Sequence, residues 1–257
     1  MTEPRFANRV ALVTGASSGI GAAVARQLAG EHARLILVGR DAERLEAVRA
    51  SLSPALDHRW LSADLADPAA TQDLGRRVRD LSERVDVLVQ SAGIYARRRF
   101  AEVDLETLEQ SWAINVRAPF LVAQGVAPMM PPGSSMVFLS SISGHVGMSV
   151  QSVYATTKSA VDGLVRALAA ELAPAGIRVN AVAPGYTATP MNARKRSDPE
   201  HVAEIERATL AARIADVEEV ARVVAFLASR DASFVYGITL AADGGYPVSR
   251  IQTGSEP

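Results

Sequence analysis

The sequence contains no cysteine in its 257 residues. This absence excludes disulfide bonds, thiolate metal sites and catalysis by a cysteine nucleophile. Lysine is also scarce, because only Lys158 and Lys195 stand among the 27 basic side chains. Since arginine serves at every other basic position, these two lysines indicate sites that need a compact ammonium group.

An excess of charge of either sign is also missing, with 27 basic against 28 acidic side chains. This balance gives no global attraction to nucleic acid or to an anionic membrane. No apolar run approaches the roughly 18 residues that a membrane-spanning helix needs. The apolar stretch after Arg9 is interrupted by glycines and serines, which argues against a secretory signal. We therefore expect a compact cytoplasmic protein with no nucleic-acid partner, no membrane partner and no metal site.

Short β-branched runs alternate with longer helical patterns up to residue 241, without a linker or an internal repeat. This alternation predicts the α/β class: one domain over residues 1–257, with a doubly wound Rossmann fold. Seven strands are predicted. Helices are expected on both faces of the parallel sheet, because most of the runs are continuously apolar. The predicted strands are Arg9 to Val13, Arg34 to Val38, His58 to Leu61, Val85 to Gln90, Ser135 to Ser140, Ile177 to Val182 and Gly237 to Leu240.

Helix boundaries are marked by capping residues and breakers. Asp41 and Asp67 are predicted N-caps, the second followed by proline at the first helical position. A helix from Ile20 to Ala29 is predicted to end at Gly30. Longer helical stretches run from Leu105 to Met130, as one or two helices, and from Val153 to Leu172.

A glycine-rich loop joins the first strand to the first helix. Its spacing is Gly-x-x-x-Gly-x-Gly, and glycines at such a turn let the backbone approach a pyrophosphate at a helix N-terminus. A simple turn is the alternative, but the flanking strand and helix supply the context that a dinucleotide site requires. The residues expected to contact a cofactor here are Gly15, Ser17, Ser18, Gly19, Ile20 and Gly21.

The end of the second strand bears on the choice of cofactor. Arg40 stands where dinucleotide folds place the group that reads the adenosine ribose. A guanidinium there suits the 2′-phosphate of NADP, so NADP(H) is the preferred cofactor. The neighbouring Asp41 and the uncharged Ser18 leave NAD(H) possible. Asp64, after the third strand, is expected to meet the adenine or to cap a turn.

Tyr154 and Lys158 lie four residues apart, on one face of a predicted helix. Free tyrosine titrates near pH ~10 and exchanges protons poorly at neutral pH. An ammonium about 4 Å away would lower that pKa by roughly three units. The pair therefore predicts a general acid and base. Ser141, at the end of the fifth strand, has a hydroxyl for the same substrate oxygen, although position alone does not separate it from Ser140.

Together these features resemble the short-chain dehydrogenase/reductase family over nearly the whole chain. The resemblance favours Ser141 over Ser140 and implies catalytic roles for Ser141, Tyr154, Lys158 and Asn115, the last holding a water that relays protons. It also implies further contacts of Tyr154 and Lys158 with the cofactor. The other contacts that it implies are Asp64, Leu65, Ser91, Ala92, Gly93, Pro184, Gly185, Thr187 and Thr189.

One position departs from the family pattern. The family usually carries Asn-Asn-Ala-Gly after the fourth strand, whereas this chain has Gln90, Ser91, Ala92 and Gly93. The small pair beside the cofactor ribose is kept, and the asparagine that braces the neighbouring strands is replaced by Gln90. We expect activity to survive with an altered local geometry.

The resemblance places the substrate pocket after Gly93, between Ser141 and Tyr154, and after Gly185. A flap at about residues 188–211 is expected to close over it. Two basic clusters, 97–99 and 194–196, are interpreted as solvated faces or as a site for an anionic substrate or carrier protein. The expected pocket residues are Ile94, Tyr95, His145, Met148, Gln151, Tyr186 and Met191.

The predicted function is hydride transfer between NADP(H) and a ketone or secondary alcohol, of the carbonyl or 3-oxoacyl reductase type. An NAD-dependent dehydrogenase of a sugar, polyol or other secondary alcohol is the alternative, and a non-catalytic cofactor-binding regulator is the alternative of another class. The apolar helices at 105–130 and 153–172 predict a homo-oligomer, a tetramer or a dimer.

Overall fold

The computed structural model describes residues 4–246, which form a parallel sheet in the order β3-β2-β1-β4-β5-β6-β7. Each strand begins and ends within two residues of its prediction, because continuous apolar runs mark strands that are covered on both faces. The strands are β1 Val10–Thr14, β2 Arg34–Gly39, β3 Arg59–Ser62, β4 Val87–Gln90, β5 Ser135–Leu139, β6 Arg178–Pro184 and β7 Thr239–Ala242.

Helices connect the strands and cover both faces of the sheet. Alternate strand residues point to opposite faces, so that Val13 and Leu37 belong to one core and Leu12 and Ile36 to the other. The helices are α1 Gly19–Gly30, α2 Ala42–Ala50, α3 Pro68–Arg79, α4 Leu105–Trp112, α5 Ala118–Val126, α6 Ser152–Leu172, α7 Ala193–Arg196, α8 Pro199–Ala208 and α9 Val217–Ala228.

The covering helices pack closely against one another. α1 packs on α9 over the first face, and α3 packs on α5 over the second. A Cβ atom at Gly75 would lie 2.6 Å from the Gly125 carbonyl oxygen, so only glycine permits this approach of α3 to α5. The sequence gives no separate signal for that contact.

The capping residues act largely as predicted. Asp41 accepts a hydrogen bond from the Arg44 amide at 3.0 Å, and Asp67 accepts one from the Ala69 amide at 2.9 Å. The prediction that α1 ends before Gly30 is wrong, because Gly30 is the last residue of α1. The residue that adopts the left-handed conformation after the helix is His32, with φ 71°. The helix closes there through the Ala33 amide, which donates to the Leu28 carbonyl at 2.9 Å.

A π-helical turn, Ala113–Arg117, separates α4 from α5 within the long stretch expected to hold one or two helices. Such turns insert one extra residue and frequently occur at functional sites. No helix among residues 4–246 is both long and apolar enough to cross a bilayer.

Candidate active site

A cavity of about 380 Å³ opens at the carboxyl ends of the strands. From β1 the chain continues to β2 on one side, while β4 lies next to β1 on the other side. The cavity lies at this position, which is the switch point of a doubly wound sheet. Its wall includes all the glycine-loop residues named above, as well as Ser141, Tyr154 and Lys158. Segments that follow six neighbouring strands, β1 to β6, therefore meet at one cleft.

The glycine loop forms one wall of this cleft at the N-terminus of α1. Gly15 and Gly19 have φ values of 68° and 53°, in the region that favours glycine. A Cβ atom at Gly15 would lie 2.7 Å from the Ala92 amide nitrogen, and one at Gly21 would lie 2.2 Å from the Gly15 carbonyl oxygen. Nothing approaches a Cβ at Gly19 closer than 3.7 Å. The loop is thus closely packed at Gly15 and Gly21 and open at Gly19. This shape fits a pyrophosphate at the helix N-terminus.

The residues after β2 and β3 form the other end of the cavity. Arg40 is exposed and lines the cavity, and its side chain forms no hydrogen bond or ion pair with another residue in 4–246. Asp41 caps α2, pairs with Arg44 at 3.1 Å and does not line the cavity. Asp64 lines the cavity and also accepts a hydrogen bond from the Ala66 amide at 3.0 Å. This end of the cavity therefore carries one guanidinium, Arg40, and one carboxylate, Asp64.

Helix α6 carries Tyr154 and Lys158 to the opposite side of the cleft. Ser141 and Tyr154 both line the cavity, and the Ser141 side chain acts on the phenol to lower its pKa. Ser140 instead donates a bond of 3.4 Å to the Lys158 carbonyl oxygen. Of the two serines, Ser141 therefore stands beside the phenol. The Tyr154 ring also makes an edge contact with Tyr95, with the centroids 4.9 Å apart.

The pKa values of this pair differ from the expectation of an acidic phenol. Burial raises the pKa of Tyr154 to about 12, although the Ser141 side chain opposes the rise. Burial also lowers the pKa of Lys158 to about 8, against the attraction of Asp162. The Lys158 ammonium lies 5.6 Å from the Tyr154 ring centroid and donates to the Leu139 carbonyl oxygen at 2.7 Å. Desolvation therefore outweighs the ion–phenol attraction on which the expectation rested.

Asn115 occupies the π-helical turn, next to the lysine. Its side chain exchanges hydrogen bonds with the Ile94 amide at 2.9 Å and the Ile94 carbonyl at 3.0 Å, and donates to Thr157 at 3.1 Å. A Cβ atom at Gly93 would lie 3.2 Å from the Asn115 amide oxygen and 3.6 Å from the Lys158 ammonium. Asn115 thus ties the loop after β4 to α6, on the lysine side of the site.

Gln90 takes up the position where the family usually has asparagine. Its amide donates to the Pro119 carbonyl oxygen at 3.1 Å, and its carbonyl accepts from the Thr14 hydroxyl at 3.3 Å. The longer side chain still connects β1, β4 and the start of α5. The bracing role therefore survives the substitution.

Comparisons with known proteins agree with this geometry. A family profile described as "Enoyl-(Acyl carrier protein) reductase" matches residues 15–247. A short-chain dehydrogenase/reductase from Brucella melitensis, described as a glucose/ribitol dehydrogenase, superposes with a TM-score of 0.90 at 34% identity, over 95% of this chain and 99% of that one. The chain belongs to the short-chain dehydrogenase/reductase family.

Two other matches bear on activity and cofactor. The cis-4-hydroxycyclohexanecarboxylate dehydrogenase of Sinomonas cyclohexanicum is 41% identical, over 94% of this chain and 97% of that protein. A blue fluorescent protein from a metagenomic library, crystallised with NADPH, has a TM-score of 0.87 and 34% identity, over 94% of this chain and 99% of that one. The protein is thus a dehydrogenase of this family that acts on CH–OH groups. The dehydrogenases among its relatives support the sugar, polyol or secondary-alcohol alternative better than the carbonyl or 3-oxoacyl reductase interpretation.

The expected substrate residues lie around Tyr154, with one exception. His145 does not line the cavity, and its Nε2 lies 3.1 Å from a carboxylate oxygen of Asp162, which is eight residues after Tyr154 in α6. Asp162 also accepts a hydrogen bond from Thr239 at 2.9 Å. The expected residues that do line the cavity are Ile94, Tyr95, Met148, Gln151, Tyr186 and Met191.

Several cavity residues were not singled out from the sequence. Ser143 donates to the Gln151 side chain at 2.9 Å and so fixes the polar end of that residue. Its only sequence signal is its place two residues after Ser141. The segment expected to form a flap folds into α7 and α8 and adds Lys195 and Arg196 of the predicted basic cluster. It also adds four residues without a sequence signal: Pro190, Asn192, His201 and Ile205.

The buried lysine makes a testable prediction about stability. Because the folded pKa of Lys158, about 8, lies below its ordinary value of 10.5, the unfolded chain binds more protons between those values, and stability rises with pH there. We expect wild type to gain about 2 kcal/mol in free energy of unfolding between about pH 7 and about pH 9.5 relative to Lys158→Met. Urea unfolding of both proteins at the two pH values measures this difference. Equal pH dependence in the two proteins would contradict a desolvated ammonium.

Proposed function

We propose that the protein interconverts a small secondary alcohol and its ketone with NADP(H), and that residues 1–257 act as one domain. The observation that carries the proposal is that Ser141, Tyr154 and Lys158 line the same cavity as the glycine loop. NADP supplies hydride acceptance or donation at the carbinol carbon when it is bound. The cradle at Gly15, Gly19 and Gly21 fits its pyrophosphate, and Arg40 fits its 2′-phosphate.

The chain's own residues account for the proton. In alcohol oxidation the Tyr154 oxygen accepts the hydroxyl proton of the substrate, and in ketone reduction it returns that proton to the carbonyl oxygen. Ser141 donates to the same substrate oxygen and fixes its position. Lys158 places a positive charge behind the phenol, and Asn115 connects the lysine side of the site to the loop after β4. Tyr154 and Lys158 thus serve both as catalytic residues and as part of the cofactor wall.

Substrate oxidation by the purified protein tests this proposal. We would follow the reduced nicotinamide by its absorbance, with NADP⁺ and with NAD⁺, on cis-4-hydroxycyclohexanecarboxylate, its primary amide, ribitol and glucose. Turnover of a secondary alcohol with preference for NADP⁺ is the expected result. Reduction of a 3-oxoacyl thioester, without oxidation of any of these alcohols, would favour the reductase interpretation. Cofactor binding without any turnover would identify a non-catalytic regulator.

We also propose that the protein is a homo-oligomer. Large apolar side chains remain exposed along α4 and α5, and Leu105 and Trp112 are 70% and 44% exposed. A second exposed set lies near β7, where Phe234 is 99% exposed. Apolar patches of this kind support burial against further copies of the chain. The apolar residues of these two sets are Phe100, Leu105, Leu108, Trp112, Phe120, Phe226, Phe234, Tyr236 and Ile238.

A further inference from the structure

Charge is unevenly distributed along the cavity wall. Among the residues of the described chain that line it, Asp64 is the only carboxylate. Asp64 follows β3, at the edge of the sheet, whereas Tyr154 and the substrate residues lie on the far side of the switch point. The end of the cavity around the catalytic tyrosine therefore carries cations without a lining acid.

Lys195 is a lining cation that lies against one of the expected substrate residues, Tyr95. Its ammonium lies 5.6 Å from the centroid of the Tyr95 ring, and that ring contacts Tyr154. The side chain is only partly exposed and forms no hydrogen bond or ion pair with another residue between positions 4 and 246. One aromatic ring thus separates the unpaired ammonium from the ring of the catalytic tyrosine.

The neighbouring positive charges destabilise the charged form of Lys195. Burial, Arg97 and Arg194 all lower the pKa of Lys195. Of the three glutamates of the adjoining helix α8, none lines the cavity, and Glu204 lies 3.6 Å from His201. Arg196, the other cation at this end, already donates to Asn192 at 3.1 Å. A partly desolvated cation among like charges is stabilised by an anion that enters the cavity.

We propose that Lys195 binds an anionic group of the substrate, and that the substrate is a secondary alcohol bearing a carboxylate several bonds from its hydroxyl. This inference rests on the proposed function, since it names the class of alcohol that the site takes. The Tyr95 ring supports the apolar part of such a molecule, with its hydroxyl at Tyr154 and its carboxylate at the ammonium. A neutral polyol meets no counter-charge at Lys195.

A matched pair of substrates tests this inference. Cis-4-hydroxycyclohexanecarboxylate and its primary amide have the same shape and differ in charge. A charge-assisted contact predicts that wild type prefers the carboxylate by about ten- to a hundredfold in kcat/KM, mainly through KM. Lys195→Gln should remove about tenfold or more of this preference while leaving the amide within about twofold, and Lys195→Arg should keep most of it.

Arg98→Gln is the matched control, because it removes one exposed positive charge near the mouth from a side chain that does not line the cavity. We expect it to leave the preference within about twofold. An equal preference for the two substrates in wild type would overturn the inference, as would an equal loss on both substrates in Lys195→Gln.

A binding measurement separates this inference from the proposed function. Calorimetry with the unreactive cyclohexanecarboxylate and cyclohexanecarboxamide, in the presence of NADP⁺, reports recognition without turnover. Carboxylate binding that is lost in Lys195→Gln supports the inference even if no alcohol is oxidised, in which case only the proposed function fails. Oxidation of the amide together with equal binding of both ligands would retain the proposed function and reject the role of Lys195.

Discussion

Tyr154→Phe should lower the turnover of a secondary alcohol by about a thousandfold or more, because it removes the only atom that exchanges the proton. The ring, its edge contact with Tyr95 and the cavity shape remain. Affinity for NADP⁺ should therefore change by less than about threefold. Steady-state kinetics with saturating NADP⁺, and a fluorescence titration of cofactor binding, measure the two effects separately.

Tyr236→Phe is the control for this substitution. Tyr236 is 43% exposed and does not line the cavity, so the loss of its hydroxyl should leave kcat near the wild-type value. Substantial residual activity in Tyr154→Phe would show that another group moves the proton. A parallel loss of cofactor affinity would instead indicate that the variant disturbs the cleft as a whole.

Arg40→Ser should shift the ratio of kcat/KM for NADP⁺ over NAD⁺ by about ten- to a hundredfold toward NAD⁺. The Arg40 guanidinium is exposed and lines the cavity. It forms no hydrogen bond or ion pair with another residue in 4–246 that would have to break before a phosphate binds. A bidentate, charge-assisted contact with a 2′-phosphate is thus available without reorganisation. Kinetics with each cofactor on one alcohol give the ratio.

Arg44→Ser is the matched control for Arg40, since it removes an exposed guanidinium that pairs with Asp41 and does not line the cavity. Its effect on the cofactor ratio should stay within about twofold. If wild type shows no preference for NADP⁺, or if both variants shift the ratio equally, Arg40 does not read the 2′-phosphate.

Much of the fold could be predicted from local patterns in the chain. Continuous apolar runs mark the strands because both faces of the parallel sheet are covered, and aspartates such as Asp41 mark helix starts because they accept backbone hydrogen bonds. The order of the glycine loop, Ser141, Tyr154 and Lys158 along the chain is sufficient to predict that they meet at the carboxyl ends of the strands.

Other features depend on tertiary packing and left little sequence signal. The left-handed conformation of His32 after α1 and the close contact of Gly75 with Gly125 arise from how neighbouring segments pack. His145 pairs with Asp162 instead of lining the cavity, because the loop after β5 brings it to that carboxylate, which the spacing of residues alone did not predict. Lys195 stood out for its rarity, but its place against Tyr95 depends on the fold of the segment after β6.

The pKa of Tyr154 could not be predicted from its spacing to Lys158. That spacing predicts a nearby positive charge, but it does not show how far burial removes the two groups from water. Lys158 and Tyr154 are both enclosed, and burial raises the pKa of the phenol to about 12 while it lowers that of the ammonium to about 8. The phenol is therefore protonated at neutral pH in the protein alone. This state is ready to donate a proton to a ketone, whereas alcohol oxidation requires its deprotonation.

The pH dependence of kcat/KM in both directions tests most directly whether Tyr154 is the proton-transferring group. The account predicts that alcohol oxidation by wild type accelerates between about pH 6 and about pH 9, approaching tenfold per pH unit below the apparent pKa, while ketone reduction stays level and then declines. The residual rate of Tyr154→Phe should lack both trends. An oxidation rate independent of pH in wild type, or the same profile in the variant, would contradict it.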